Sequence, residues 1–206
     1  MAIFFEVDGT LLSHRSNDVP LGTRKSLARL RTQGIKTVIA TGRHKIELEK
    51  LPVNDLDFDG YLTLNGDLLL DENKKVYAGT PIDRGEMEVL SEMFSIKKIP
   101  FVMIEENERY INFINETVIR IQQEAKGTVP KLGTFIRRFM RQHGIAQSEI
   151  MAFGDGENDI QMLKFAGVGI AMGNADDEVK AAADYVTDSV DENGIEKALR
   201  HFHLID

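Results

Sequence analysis

Ala2-Ile-Phe-Phe-Glu-Val-Asp-Gly-Thr-Leu-Leu12 runs a short apolar stretch straight into two carboxylates, Glu6 and Asp8, followed by Gly9 and Thr10. The stretch is short, aromatic and β-branched with no polar break, which is the pattern of a buried strand. Open α/β sheets bind ligands at the C-terminal edge of their strands, and acids delivered there suit a site. An acidic turn would look the same locally, because Asp-Gly is ordinary turn chemistry. The rest of the chain separates the two readings.

Downstream, Pro20 opens a helix over about 21–33 with Leu21, Leu27, Leu30 and Ala28 on its apolar side, and Gly34 ends it. Ile35-Lys-Thr-Val-Ile-Ala40 reads as a second strand, and Thr41-Gly42-Arg43 follows at once, before a short helix over 44–50. So short an interval from strand to helix to strand predicts a right-handed parallel crossover. Tyr61-Leu-Thr-Leu64 is a third strand ending at Asn65-Gly66, and Leu68–Leu70 and Val76–Ala78 form a hairpin around Asp71–Lys75.

Residues 83–97 have helical spacing, with Met87, Leu90, Met93 and Phe94 on one face. Strands are expected at 101–104 and 109–112, and a helix at 113–125 is broken by Gly127 and Pro130. The α/β alternation then resumes. A helix at 131–143 leads to strand Glu149–Phe153, then Gly154-Asp-Gly-Glu-Asn-Asp159 opens a helix over 158–165. Strand Val168–Met172, helix 176–183, strand 184–187 and a last helix over 191–202 complete the chain. The expected organisation is an α/β core, a doubly wound parallel sheet formed by 1–79 and 129–206, with a small α+β insert at 80–128.

Composition narrows the function classes. A chain of 206 residues with 42% hydrophobic content supports one core with an insert. A net charge of −8 with no basic run argues against nucleic acid. With no cysteine there is no disulfide framework, thiolate catalysis or cysteine zinc site. No secretion signal is recognised at the N-terminus, and no segment has the roughly 18–20 apolar residues of a membrane span. The expectation is a cytoplasmic protein with no membrane partner and no assigned oligomeric state.

Chemistry-bearing residues fall where strands end: Glu6 and Asp8, then Thr41-Gly42-Arg43, then Asp155 to Asp159. Lys131 opens a helix instead. In a parallel sheet these ends converge. Four carboxylates in one crevice (Glu6, Asp8, Asp155, Asp159) repel unless neutralised, and a hard cation such as Mg2+ does so beside a phosphate. The 155/159 spacing would put both acids on the first turn of a helix, near the positive end of its dipole. Thr41, with the backbone donors of Gly42 and Arg43, would hold phosphate oxygens at a helix N-terminus. Each residue also has a plainer reading. Asp155 and Glu157 suit a helix start, Thr41 a helix cap, Asn65 a turn, and Lys131 and Arg43 a solvated surface. No P-loop signature and no G-x-G-x-x-G after the first strand is present.

In combination, Phe5-Glu-Val-Asp-Gly-Thr-Leu-Leu12, Ile39-Ala-Thr-Gly-Arg43, Leu64-Asn-Gly66, Lys131, Phe153-Gly-Asp-Gly-Glu-Asn-Asp159 and Ala171-Met-Gly-Asn-Ala175 with Val179–Thr187 resemble the haloacid-dehalogenase superfamily, in its Cof-type sugar-phosphatase-like branch. The resemblance implies a Rossmann-like core with a cap, Mg2+, and hydrolysis of small phosphorylated metabolites through a carboxyl-phosphate. By position it makes Glu6 the nucleophile, Asp8 the general acid/base, and Thr41 and Lys131 phosphate ligands, with Gly42, Arg43, Asn65 and Asn158 in the phosphate-binding network. It places the metal among Glu6, Asp8, Asp155 and Asp159. Two departures stand out. The pattern begins D-x-D, whereas this chain has Glu6, and the insert is shorter than the usual two-repeat cap. The longer side chain implies weakened turnover, or a protein that binds Mg2+ and ligand without turnover.

Overall fold

The computed structural model of the chain describes residues 1–96, 102–104, 106, 109–112, 140 and 143–206. The expected helix at 113–125, the breaks at Gly127 and Pro130, Lys131 and nearly all of the helix at 131–143 lie outside these residues. In chain order the described elements are β1 (Ala2–Phe5), α1 (Leu21–Thr32), β2 (Lys36–Ala40), α2 (Lys45–Leu48), β3 (Gly60–Thr63), β4 (Leu68–Leu70), β5 (Val76–Gly79) and α3 (Arg84–Ile96). They continue with β6 (Val102–Ile104), β7 (Arg109–Ile111), β8 (Ile150–Gly154), α4 (Ile160–Phe165), β9 (Val168–Ala171), α5 (Asp177–Ala182), β10 (Tyr185–Val186) and α6 (Gly194–His201). The chain divides into two compact units, Met1–Gly79 with Val129–Asp206, and Thr80–Thr128.

In the larger unit an eight-stranded sheet has the order β10-β9-β8-β1-β2-β3-β4-β5. Every pair from β10 to β3 is parallel, and β4 and β5 extend the edge as an antiparallel hairpin. β1 is central and fully buried, which is why it reads as an unbroken apolar run. Its side chains alternate between faces. Ile3 and Phe5 join Ile39, Met151 and Phe153 in a core layer that includes Leu27 and Leu30 of α1 and Ala198 and Leu199 of α6. Ala2 and Phe4 join Val38, Ala152 and Leu62 in the opposite layer, with Met162 and Leu163 of α4 and Val179 of α5. Helices thus cover both faces of a mainly parallel sheet, the doubly wound α/β architecture. The rings of Phe5 and Phe153 stack at 5.1 Å across the β1–β8 pair.

Two helix faces differ from the sequence expectation. In α1 the buried residues are Thr23, Ser26, Leu27 and Leu30. Leu21 is 65% exposed and Ala28 lies on the outside. Ser26 is tolerated inside because its hydroxyl donates to the Gly22 carbonyl at 2.8 Å. In the smaller unit, β6 and β7 pair antiparallel. Met87, Leu90 and Phe94 of α3 are half-buried, while Met93 is exposed with Val89 and Ile96. Met93 therefore leaves the face on which the spacing placed it.

Leu30 and Leu21 test the helix assignment. Leu30→Ala, emptying a fully buried position, is expected to lower unfolding free energy by about 2–5 kcal/mol. Leu21→Ala should change it by no more than about 0.5 kcal/mol. Urea denaturation of the two variants measures both, and equal losses would contradict the α1 packing.

Candidate active site

The parallel register brings three strand ends together. Phe5 is opposite Ile39 of β2 and Phe153 of β8. The next residues are Glu6, Ala40-Thr41 and Gly154-Asp155. The Glu6 amide donates to the Phe153 carbonyl at 3.1 Å, so the backbone stays in the sheet while the side chain enters the crevice.

Glu6 is 5% exposed. Its Oε1 accepts from the Thr41 hydroxyl at 2.9 Å, while its Oε2 is buried without a hydrogen-bond partner. Burial pushes its carboxyl well above the usual range, and the charges of Asp159, Asp8 and Asp155 push the same way. A buried carboxylate oxygen with no donor is costly and calls for a proton or a cation.

Asp8 is held differently. Arg43 donates from Nε to Oδ2 at 2.6 Å and from Nη2 to Oδ1 at 2.8 Å, a bidentate pair with both side chains about one-third exposed. Arg43 is thus neither a ligand pointing into empty space nor a solvated surface residue.

Asp155 Oδ1 accepts from the Thr10 hydroxyl at 2.8 Å, and its Oδ2 from Asn174 Nδ2 at 3.3 Å. Burial raises its carboxyl to about 6, against the lowering effect of the Thr10 hydrogen bond. Gly9 has φ +75°, and a Cβ there would fall 2.1 Å from Asp155 Oδ2, so both conformation and space demand glycine. Asp159 is 1% exposed and raised to about 7, with burial the largest cause.

Asp155 and Asp159 do not share the first turn of a helix as their spacing suggests. A 3-10 turn, Glu157–Asp159, intervenes before α4. Asp159 folds back across it, and its Oδ2 accepts from the amides of Asp155 at 3.0 Å and Gly156 at 2.9 Å. Its Oδ1 accepts from Asn158 Nδ2 at 3.0 Å. Asp159 therefore shapes the loop that presents Asp155.

The Thr41–Arg43 segment is likewise not a helix N-terminus. Helix α2 begins at Lys45 and is capped by His44, whose Nδ1 accepts from the Ile46 amide at 3.3 Å. Thr41 is not that helix's cap; its hydroxyl donates to Glu6 and accepts from the Arg43 amide at 3.3 Å. Asn65, in the left-handed region at φ 55°, donates its amide to the Thr41 carbonyl at 2.9 Å. Its Oδ1 lies 2.9 Å from where a Cβ on Gly42 would stand.

Among the described residues no three carboxylate or imidazole groups are placed to cage an ion by themselves. Mg2+ does not require that, since it commonly takes one or two carboxylates and keeps several waters. The orphaned Glu6 oxygen beside Asp155 fits such a cation.

This geometry coincides with sequence likeness along the chain. The model of the haloacid dehalogenase-like hydrolases matches residues 3–132 and 128–199. The chain belongs to that hydrolase family. It is 30% identical over 244 aligned positions to the 5-amino-6-(5-phospho-D-ribitylamino)uracil phosphatase YcsE of Bacillus subtilis, covering 98% of this chain and 95% of that protein. It is also similar to two solved structures. One is BT1666 from Bacteroides thetaiotaomicron, a phosphatase of the superfamily, with a TM-score of 0.86 and 28% identity over 99% of this chain and 95% of that one. The other is the subclass IIB sugar phosphatase BT4131, with a TM-score of 0.80 and 31% identity over 99% of both chains.

Within this hydrolase, Glu6, Asp8, Thr41, Arg43, Asp155 and Asp159 gather at one sheet edge, with Gly42, Asn65 and Asn158 as their immediate supports. Sequence reasoning assigned no role to Thr10 or Asn174, although both bind Asp155. Each follows a strand end by a few residues, and that position was the available signal.

The raised carboxyls set a pH dependence for the metal-free protein. A carboxyl whose pKa is higher in the folded state stabilises the fold fully below its unfolded value, near 4. That contribution is lost as pH rises through about 6 and about 7. In EDTA, the melting temperature should fall by roughly 2–8 °C between pH 5 and pH 8, equivalent to about 1–2 kcal/mol. A calorimetric scan showing a rise over that interval would contradict the buried acid cluster.

Proposed function

We propose that this hydrolase is a Mg2+-dependent phosphatase of small phosphorylated metabolites, sugar phosphates in particular, with turnover weakened by Glu6. The convergence of Glu6, Asp8, Asp155 and Thr41 at the ends of β1, β2 and β8 carries the reading. The named activities of the relatives above, both phosphatases of small molecules where a substrate is given, support the same class.

In this scheme the Glu6 carboxylate attacks phosphorus in line, forming a carboxyl-phosphate as the P–O bond to the alcohol breaks. Asp8 gives a proton to the departing oxygen. It then takes one from the water that hydrolyses the intermediate, so Glu6 is restored and inorganic phosphate leaves. Arg43 orients Asp8 through its bidentate pair. The Thr41 hydroxyl, with Lys131 assigned by family position, receives the phosphoryl oxygens. Glu6 and Asp155 would hold Mg2+, with Asp8 and Asp159 completing the acidic surround. Bound there, the ion would supply positive charge to offset that of the carboxylates and the phosphoryl group.

Residues 80–128 are assigned as a reduced cap. The alignment to the B. subtilis phosphatase spans 244 positions, 38 more than the 206 residues of this chain, so that relative carries at least that many residues without a counterpart here. The two family matches meet at 128–132, which suits a deletion there. On this reading a shorter cap implies looser selection among substrates.

Glu6 favours a second reading, binding of Mg2+ and a phosphorylated ligand without turnover. Its extra methylene moves the carboxylate outward by roughly 1 Å, and misplacement on that scale costs about 100-fold in rate. It also engages the Thr41 hydroxyl that a phosphate would use. Turnover of p-nitrophenyl phosphate, abolished by EDTA and restored by Mg2+, is expected from the parent protein. Glu6→Asp is expected to raise kcat by about 100-fold. No turnover in the parent but strong turnover in E6D would establish the binding reading, and no gain in E6D would remove Glu6 as the limitation.

A further inference from the structure

Asn174, in the loop after β9, connects three parts of the chain far apart in sequence. Its Nδ2 donates to the Gly9 carbonyl at 2.9 Å and to Asp155 Oδ2 at 3.3 Å. Its Oδ1 accepts from the Val190 amide at 2.9 Å. These partners fix the amide's orientation, because a backbone N–H only donates and a carbonyl only accepts. We propose that Asn174 is a positioning residue that holds the Gly9 loop, and with it Glu6 and Asp8, in register with the Asp155 carboxylate. This rests on the reading that those carboxylates are the reacting site.

The clamp is anchored at its far end. Val190 lies in a 3-10 turn, Val190–Glu192, and its side chain is buried at 4% exposure. The Gly173 amide, beside Asn174, donates to the Asp188 carbonyl at 3.1 Å. From the other end of the β1 loop, the buried Ser13 hydroxyl donates to Asp191. The Thr187 hydroxyl donates to the Gly194 carbonyl at 2.7 Å and closes the turn onto α6. The Gly9–Ser13 loop is thus held at both ends by one turn, through Asn174 and through Asp191. Between these anchors the loop has its own short bonds, Gly9 amide to Leu12 carbonyl at 2.9 Å and Leu12 amide to Val7 carbonyl at 2.7 Å. Gly9 leaves no room for a side chain against Asp155, so a small shift of the loop would bring it onto that carboxylate or open a gap beside it.

Asn174→Ala tests the clamp with two readouts that need no turnover. In EDTA, amide hydrogen exchange at Gly9 and Leu12 should be about tenfold faster or more than in the parent, with sheet amides unchanged. By calorimetry, Mg2+ should bind about 10–100-fold more weakly, the usual cost of losing an outer partner of a ligating carboxylate. If the alanine variant does not fold, Asn174→Ser, too short to span both acceptors, is held to the same criteria. Unchanged exchange at Gly9 and Leu12, or acceleration at all amides alike, overturns the proposal. So does Mg2+ affinity equal to that of a Mg2+-binding parent. If the parent binds no Mg2+, faster loop exchange in the variant still supports the clamp and overturns only the metal reading.

Discussion

Crowding of negative charge where parallel strands end is the constraint on which the rest of the site depends. A central strand buried on both faces has no solvated flank, so Glu6 leaves β1 into a space already occupied by Asp155 and Asp159. Burial is the largest cause of the upward shift in all three, and repulsion from neighbouring carboxylates adds to it in each, from Asp8 and Asp176 in the case of Asp155. A fold does not gain stability from such an arrangement. Groups kept at that cost commonly serve chemistry, where perturbed acids are required.

What makes the crowding tolerable is a ring of donors drawn from different elements. Thr41 serves Glu6, Arg43 serves Asp8, Thr10 and Asn174 serve Asp155, and two amides with Asn158 serve Asp159. Of the carboxylate oxygens of these four acids, Glu6 Oε2 alone has no hydrogen-bond partner among the described residues. The distribution is uneven in a useful way. Both oxygens of Asp159 are satisfied within its own loop, so it acts on the backbone around Asp155. Glu6 retains one unsatisfied oxygen and is the group most in need of a cation or an electrophile. Gly9 and Gly154 give the acids room, for a Cβ at 154 would stand 2.4 Å from that of Asp159.

The sheet was largely legible in the residues. β1, β2 and β8 announce themselves as apolar runs because both faces are covered, and the acids after them mark the functional edge. Helical detail was less legible. Leu21 sits in a helical apolar pattern but is 65% exposed, whereas Thr23 and Ser26 point inward. A local pattern does not reveal that a hydroxyl bonded to its own helix packs as well as a methyl group. The 155/159 spacing has a helical period, yet the carboxylate competes for nearby amides and bends the chain into a tighter turn. Asn174 shows the larger limit. Its bond to Gly9 spans 165 positions, and only the assembled sheet brings those two loops together.

Glu6 then becomes a question of reach rather than of charge. Its main-chain amide keeps the bond to Phe153 that the sheet requires, so an added methylene cannot be absorbed by moving the backbone back. The displacement passes to the carboxylate, which meets the Thr41 hydroxyl, a donor suited to a phosphoryl oxygen. Under the proposed function, an incoming phosphate would have to displace a hydrogen bond within the protein and accept a shorter approach to the attacking oxygen. On that proposal both effects would oppose the transition state more than the binding of a cation, because a cation tolerates varied carboxylate geometry whereas in-line attack does not. A glutamate at this position would then be compatible with metal binding while slowing the proposed phosphoryl transfer.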